Sequence, residues 1–272
     1  AEYFGAIEGA SLEANKGAYS YAWMIIFAVI AAIMVLIGLY HIRMLPSNQI
    51  PSTTKKTTSE VGRELVAVIA NFFTKKHIFY YICFIILYRL AEGFIMKIAP
   101  LFLRASREVG GLGLSLKEIG TLNGVFGSAA FVLGSLLAGI YVSKFGLKRT
   151  LFTLCCIFNL PFVAYTFLAV TQPTNVYLIG TCITMEYFGY GFGFVGLTLF
   201  MMQQIAPGKH QMSHYAFASG IMNLGVILPG MVSGYFSDLL GYRNFFIYVL
   251  IATIPAFLIT YFIPFTYDDS KK

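Results

Sequence analysis

Four charged side chains interrupt long apolar runs of this sequence, and their types could do chemistry. Arg89, Glu92 and Lys97 lie in one run and Glu186 in another, so the set holds two cations and two carboxylates. The spacing of three places Arg89 and Glu92 on one face of a helix. Lys97 lies roughly 80° around that helix, at about 100° per residue. Such residues usually face a protein interior or a water-filled cavity, because a charge at the centre of a bilayer is costly.

Two interpretations fit these charges. In the functional one, Arg89 and Lys97 bind an anionic group, and Glu92 or Glu186 takes up and releases a proton. In the structural one, Arg89 and Glu92 pair and lock their helix, while the Lys97 amine reaches outward to the membrane surface. Glu186 has no cation at helical spacing on its own run. That absence favours a functional Glu186.

Uncharged polar and aromatic residues supply further candidates. Asn123 lies inside an apolar run, where it either contacts a ligand or hydrogen-bonds between helices. Tyr187 and Tyr190 follow Glu186 and could stack on sugar rings, although ordinary packing is the commoner explanation in a chain with 17% aromatic residues. His214 lies near the end of its run, and we expect it to be solvated.

The elements that position these residues must lie in a membrane. The 272 residues are 58% hydrophobic and 11% charged, whereas soluble domains carry about 25% charged residues. The formal charge of +7 does not indicate nucleic acid, because the basic residues lie in loops between apolar runs, as membrane insertion selects. The four cysteines lie in apolar runs without a CxxC pair, so we expect no metal and no cofactor.

Seven apolar runs are long enough to span a bilayer, which takes about 20 residues. We therefore predict an all-α integral membrane protein with seven transmembrane helices. A transmembrane barrel would show shorter, alternating segments. The predicted spans cover roughly 18–40, 77–103, 115–142, 149–171, 176–204, 214–237 and 243–264.

The distribution of basic residues predicts the orientation. Of the 19 Lys and Arg residues, 12 fall on one side of the predicted membrane and 5 on the other, and two lie within a span. The richer side is then cytoplasmic. This makes residues 1–17 an extracytoplasmic lead and residues 265–272 a cytoplasmic tail. The cytoplasmic linker 41–76 is first polar and then helical in pattern, so we expect an amphipathic helix on the inner membrane surface.

Residues 77–264 form a six-helix unit with a weak internal repeat. Gly139 to Gly146 and Gly234 to Gly241 share Gly, then Ser or Asp four residues on, then Gly at the eighth position. The second and fifth spans each carry one Glu. Repeats of three helices must have opposite topology, as in many secondary transporters. Small residues spaced by four predict close helix packing at Gly120/Gly124 and Gly230/Gly234, and Pro229 is expected to interrupt a span.

The loop after the third span resembles a cytoplasmic signature of the major facilitator superfamily. The matching residues, which would form a gating loop, are Gly139, Lys144, Gly146, Lys148 and Arg149. Ser143 stands where that signature usually has Asp, so a charge-relay role of the loop lacks its acid. The turn from Gly241 to Phe246 resembles another superfamily turn. The resemblance implies that the last six spans form the C-terminal half-bundle, built of two inverted three-helix repeats.

A narrower resemblance is to the AmpG-type muropeptide permeases, over about residues 77–264. It rests on Leu87 to Phe94, on Glu118 to Gly127, and on Glu186 with the glycines that follow it. It implies proton-driven import of anhydromuropeptides across the bacterial inner membrane by a twelve-span carrier. The chain, which begins at Ala1 rather than Met, would then hold the sixth span and the second half.

That resemblance also implies partners, while the chemistry of the residues suggests their roles. The partners are a small-molecule substrate, protons, the lipid bilayer and the N-terminal half of the same carrier. The expected substrate-binding residues are Arg89, Lys97, Asn123, Tyr187 and Tyr190, and the expected proton-coupling residues are Glu92 and Glu186. A muramyl or peptide carboxylate would be the anion held by the two cations.

Two other classes stay open from the sequence. One is a superfamily carrier for another sugar or organic anion. The other is a polytopic membrane enzyme or a non-transporting scaffold. The sequence shows no nucleophile paired with a base, no metal cluster at helical spacing and no nucleotide-binding loop, so we do not predict an enzyme.

Overall fold

The computed structural model describes residues 13–44 and 57–267, and these ranges contain helices and no β-strand. The chain divides into two compact units, residues 1–57 and 58–272. In the first unit, α1 spans Lys16–Met44 without a proline. Its 29 residues extend for about 44 Å at 1.5 Å per residue, more than the ~30 Å hydrocarbon core of a bilayer. Its mean hydropathy of 2.8 is the highest of the apolar helices in the described ranges.

The second unit is a bundle of helices. They are α2 Thr58–Phe73, α3 Ile78–Tyr88, α4 Leu90–Arg104, α5 Leu116–Ile119, α6 Ser128–Phe145, α7 Leu147–Asn159, α8 Phe162–Thr171, α9 Val176–Phe200, α10 Gln211–Ala252 and α11 Ile254–Tyr261. A π-helical segment, Gly120–Gly127, joins α5 to α6, and a second one, Met201–Ile205, continues α9. Several of these elements therefore run on into longer rods.

Two breaks in these rods matter for the site and for the topology. Arg89 separates α3 from α4 with a non-helical backbone (φ −103°, ψ 5°). Gly241, within α10, has φ 69° and ψ 161°, a conformation that glycine adopts without steric cost. The predicted interruption at Pro229 was wrong, because Pro229 lies inside the helical part of α10. The break at Gly241 instead falls between the predicted sixth and seventh spans.

Five helical segments of the described ranges are long and apolar enough to cross a membrane. They are Lys16–Met44, Ile78–Arg104, Leu116–Phe145, Leu147–Thr171 and Gln211–Tyr261. The last has 51 residues and contains the break at Gly241. The 25-residue α9 carries Glu186 and several glycines and is not among the five. The all-helical membrane class predicted from composition is therefore confirmed.

Glycines bring the helices together, although not at the predicted pairs. The Cα of Gly191 lies against the backbone of Phe131 on α6, and that of Gly193 lies against Phe158 on α7. A methyl group at Gly93 would lie 2.7 Å from the Val226 carbonyl oxygen of α10. By contrast, a methyl group added at Gly120, Gly124 or Gly234 would meet no described atom within 4 Å. One added at Gly230 would make only ordinary van der Waals contacts. The close packing therefore follows the glycines of α9 and α4.

Helix α2 attaches to one end of the bundle. Phe72 is fully buried, with its ring centroid 4.7 Å from that of Phe217 and 5.7 Å from that of His214. His214 is buried, with Nε2 3.3 Å from the Val68 carbonyl oxygen. The expectation of a solvated His214 was wrong, because α2 covers it. Sequence periodicity indicated the helix but not its docking partner.

Polar contacts fasten the same end. The Lys75 amine donates to the carbonyl oxygens of Ile205 and Pro207, the second at 2.7 Å. Partial burial lowers the pKa of Lys75 from its ordinary value. The Gln204 amide donates to the Tyr267 carbonyl at 2.6 Å and accepts from the Thr266 backbone N–H at 2.8 Å. These bonds tie the end of α9 to the segments before α3 and after α11.

Candidate functional site

A small cavity lies between α4, the π-helical segment Gly120–Gly127, α8 and α9. Its volume is about 120 Å³, whereas sites for small ligands usually measure roughly 300–1,000 Å³. Its polar lining consists of Glu92, Asn123, Tyr165, Glu186, Tyr187 and Tyr190, and α4 supplies an apolar wall. The fold thus brings five of the seven residues predicted to bind substrate or protons to one cavity. The cavity is too small to enclose a sugar peptide.

Arg89 and Glu92 form a buried ion pair. Nε of Arg89 donates to Oε2 of Glu92 at 2.6 Å, and Nη2 donates to Oε1. The side chains are 6% and 4% exposed. The Arg89 guanidinium also lies 5.3 Å from the ring centroid of Phe194 on α9. Such a bidentate, charge-assisted contact is strong and directional. It spans the break between α3 and α4, so the geometry supports the structural interpretation of this pair.

The pair presents only one member to the cavity. Glu92 lines it, and Arg89 does not. Tyr190 lies close enough to interact electrostatically with both charges. The ring of Tyr190 packs 5.2 Å from Phe131 and 5.9 Å from Phe158, measured between centroids. The anion-binding group predicted at Arg89 is thus occupied by the neighbouring carboxylate.

Glu186 lines the same cavity from α9 and has no such partner. Among residues 13–44 and 57–267, no group forms a hydrogen bond or an ion pair with its carboxyl. It is partly buried in this chain. A carboxyl group held in a membrane span without a counter-ion is characteristic of ion and substrate pathways. The structure therefore separates the two predicted proton sites into a paired one and an unpaired one.

Lys97 lies outside the cavity. Its side chain is exposed, and its aliphatic stem covers Gly230 of α10, with Cγ 3.4 Å from where a methyl group would stand. It forms no ion pair with any group in the described ranges. The two cations of the predicted second span are therefore in different situations: Arg89 is paired and buried, whereas Lys97 is accessible and has no ion-pair partner in the described ranges.

The predicted gating loop lies at the far end of α6. Gly139, Ser143, Lys144, Gly146 and Arg149 line a second cavity of about 600 Å³, together with Gln203 after α9. Gly146 turns the chain from α6 into α7 with φ 78°, a left-handed value. Lys148 lies exposed in the first turn of α7. The Ser143 hydroxyl donates to the Ile140 carbonyl at 2.9 Å, so it bonds to its own helix.

Two tyrosines near the cavity were missed from the sequence. Tyr165 of α8 lines it. Tyr88 is fully buried beside the ion pair, and its hydroxyl donates to the Gly193 carbonyl at 2.9 Å. Tyr88 adjoins Arg89 in the sequence, which was a usable signal. Tyr165 had none, because its position depends on how α8 packs against α4 and α9.

With this geometry in place, comparison with known proteins identifies the family. A model described as Major Facilitator Superfamily matches residues 4–209. That range is well over half of the 272 residues. The chain belongs to the Major Facilitator Superfamily.

Curated relatives carry permease and transporter names. The anhydromuropeptide permease of Escherichia coli strain K12 is 23% identical over 209 residues, which cover 77% of this chain and 41% of the permease. A Rickettsia bellii protein named as a transporter, AmpG 1, is 25% identical over 238 residues, or 86% of this chain and 56% of its own length. A Rickettsia prowazekii protein named AmpG 2 is 27% identical over 204 residues, or 73% and 47%.

The chain spans about half the length of the curated relatives it matches. The predicted resemblance to the superfamily and to the AmpG-type permeases is confirmed, at low identity. Together with the five apolar helical segments, it points to a multi-pass protein of a bacterial inner membrane.

Proposed function

We propose that this chain forms part of a proton-coupled importer, which carries anhydromuropeptides or related amino-sugar solutes into the bacterial cytoplasm. The names of the relatives supply the substrate class. The observation that carries the mechanism is the unpaired Glu186, in a cavity whose lining also includes three tyrosines. A carboxyl group can carry a proton there, and tyrosine rings offer flat faces for sugar rings.

The proposed topology extends what the helices support. Helix α1 is the sixth span of a twelve-span carrier, and the second unit supplies the next six. The break at Gly241 supports this count, because it divides the 51-residue segment into two lengths that can each span. The six spans form two inverted three-helix repeats. Helix α2 lies on the cytoplasmic membrane surface, and the C-terminus is cytoplasmic.

The first half of the carrier completes the binding site. The cavity of about 120 Å³ is smaller than a disaccharide needs, and it lies on a face of the bundle that remains accessible. The segment Leu116–Phe145 is poorly covered, because only 28% of its most apolar stretch is buried. A second six-helix bundle against this face would enlarge the cavity and cover the segment.

The residues divide into five tasks. Lys97, which is free and accessible, binds the carboxylate of the substrate. Tyr187, Tyr190 and Asn123 form the wall that contacts its neutral part. Glu186 carries the coupled proton. The Arg89–Glu92 pair holds the break between α3 and α4, and the loop from Gly139 to Arg149 lines the cavity at the far end of α6 and takes part in gating.

Uptake by the complete transporter tests this proposal. The gene that contains this segment is expressed in cells without their own muropeptide uptake, with labelled N-acetylglucosaminyl-anhydro-N-acetylmuramic acid as the probe. We expect accumulation that collapses with a protonophore and in a Glu186→Gln variant, while the variant still exchanges internal for external probe. Folded, membrane-inserted protein that takes up no probe would redirect the assignment to another sugar or organic anion.

A further inference from the structure

Two polar groups of the cavity lack a partner, and they come from different helices. Glu186 of α9 forms no hydrogen bond or ion pair within the described ranges. Oδ1 of Asn123 is buried and has no hydrogen-bond partner in the same part of the chain. Leaving a buried polar atom unsatisfied costs about 1–3 kcal/mol. An unsatisfied acceptor beside an unpartnered acid indicates a bond that forms in another protonation state.

Packing between the two helices places these groups opposite one another. Leu122 contacts α9 at Gly180, where a methyl group would lie 2.8 Å from its Cδ2. Gly127 contacts Tyr187 of α9, because a methyl group on Gly127 would lie 3.0 Å from the tyrosine ring. Asn123 stands between these two contacts on one side, and Glu186 adjoins Tyr187 on the other. Both side chains line the same cavity of about 120 Å³.

The backbone around Asn123 is unusual. Gly120–Gly127 is π-helical, and α-helix lies on both sides of it. Short π-helical segments are rare and occur frequently at functional sites. The altered winding changes which residues of this segment face α9. The π-helical winding is therefore a second observation, separate from the missing hydrogen bond, that indicates a functional role for Asn123.

The groups around Glu186 determine which protonation state of its carboxyl can hydrogen-bond to Asn123. The titratable groups that face Glu186 are Glu92 from α4, Tyr165 from α8, and Tyr187 and Tyr190 from α9. The nearby cation, Arg89, is held by Glu92 and does not line the cavity. An ionised Glu186 therefore offers another acceptor to Asn123 Oδ1. A protonated Glu186 offers the O–H donor that this oxygen lacks.

We propose that Asn123 is the positioning residue of the transported proton: its Oδ1 accepts a hydrogen bond from the protonated carboxyl of Glu186. This inference deepens the proposed function and rests on it for the meaning of the proton. The bond joins the π-helical segment to α9 when Glu186 is protonated. It breaks when the proton leaves, so proton release loosens one helix from the other.

Infrared difference spectroscopy of the purified full-length transporter tests the bond without a substrate. Spectra recorded as the pH falls show the C=O stretching band of protonated carboxyls, and Glu186→Gln identifies the component that belongs to Glu186. In Asn123→Leu this component should move to higher frequency, because the hydrogen bond is lost. Its titration midpoint should fall by about half a pH unit to one pH unit, as expected for one hydrogen bond.

Asn123→Asp supplies a second variant with an effect of opposite sign. A carboxylate at position 123 repels an ionised Glu186, so the Glu186 component should titrate at higher pH than in the unchanged protein. The upward shift shows that position 123 lies beside the Glu186 carboxyl. If Asn123→Leu does not fold, Asn123→Ala removes the same acceptor and should also lower the midpoint, whereas Asn123→Gln retains an amide oxygen and should not.

Other outcomes overturn the inference. An unchanged Glu186 band and midpoint in both Asn123→Leu and Asn123→Asp would show that Asn123 does not contact this carboxyl. A rise in KM for the labelled muropeptide in Asn123→Leu, with an unchanged Glu186 band and an unchanged pH profile of uptake, would leave Asn123 with its substrate contact alone and overturn the bond. Absence of muropeptide uptake in the unchanged protein counts against the proposed function, whereas the infrared result decides the bond by itself.

Discussion

Two carboxyl groups line one cavity of this protein, and their surroundings differ. Glu92 is buried and accepts two hydrogen bonds from Arg89, whereas Glu186 has no hydrogen-bond or ion-pair partner among the described residues. A paired charge in a bilayer is compensated and fixes local structure. An unpaired one is costly to keep ionised, so its retention points to chemistry. The comparison indicates that a charged residue inside an apolar helix is structural when it has a counter-ion and a candidate functional group when it has none.

The sequence neighbours of each residue explain the difference. Glu92 has Arg89 three residues before it, on the same face of the helix. The positions three and four residues from Glu186 are Cys182, Ile183, Gly189 and Tyr190, which include no cation. A partner for Glu186 must therefore come from another helix or from a ligand. For this reason we propose that Glu186, rather than Glu92, exchanges the coupled proton.

Breaking the pair should give the largest effect on folding. Glu92→Leu leaves the Arg89 guanidinium buried without its counter-ion, and loss of one partner of a buried pair costs about 3–5 kcal/mol. We expect a much lower unfolding midpoint of the full-length protein in detergent. The double variant Arg89→Leu/Glu92→Leu should be more stable than Glu92→Leu, because no charge remains unpaired. A double variant as unstable as the single one would show that packing at the break, rather than charge, is what matters.

Close packing of α9 should give the next largest effect. In Gly191→Ala the new methyl group meets the backbone of Phe131, which cannot rotate away. Overpacking of this kind costs roughly 1–3 kcal/mol. Gly220→Ala is the matched control, since nothing lies within 4 Å of its added methyl group. Equal midpoints for the two variants would contradict the assigned contact between α6 and α9.

Particular residues show how far the sequence could predict this structure. The ion pair of Arg89 and Glu92 was one of two stated alternatives, because helical spacing fixes which residues share a face. The boundary near Gly241 followed from the lengths of the apolar runs. These predictions depend on local periodicity, which a single sequence contains.

What depends on packing between helices could not be predicted. Tyr165 reaches the cavity from α8, and His214 is covered by α2. The glycine pairs chosen by their spacing, such as Gly120 and Gly124, face open space, while Gly191 and Gly193 make the close contacts. The spacing shows that one helix face carries small residues, but which helix packs against that face depends on the arrangement of the whole bundle. The π-helical winding around Asn123 likewise had no sequence signature.

Lys75 is a cation with neutral hydrogen-bond partners, and removing it should give an effect on stability between those of the paired and the unpaired carboxyl group. Lys75 donates to the carbonyl oxygens of Ile205 and Pro207 at the end of the second π-helical segment. Lys75→Met removes both bonds, and we expect a loss of about 1 kcal/mol, because the amine is partly exposed. The exposed Lys76→Met is the matched control and should leave the unfolding midpoint unchanged. Equal effects of the two variants would mean that Lys75 does not fasten this end of the bundle.

Glu186→Gln should have the smallest effect on folding, although under the proposed function we expect it to abolish proton-driven accumulation. The substitution removes no hydrogen bond or ion pair present among the described residues, and it replaces an acid with a neutral group of the same shape. We expect the unfolding midpoint to change by less than the equivalent of about 0.5 kcal/mol, as for residues without structural partners. A loss close to that of Glu92→Leu would reveal a partner for Glu186 in the complete transporter. Glu186 would then be a second structural charge, and the proton path would have to be sought elsewhere.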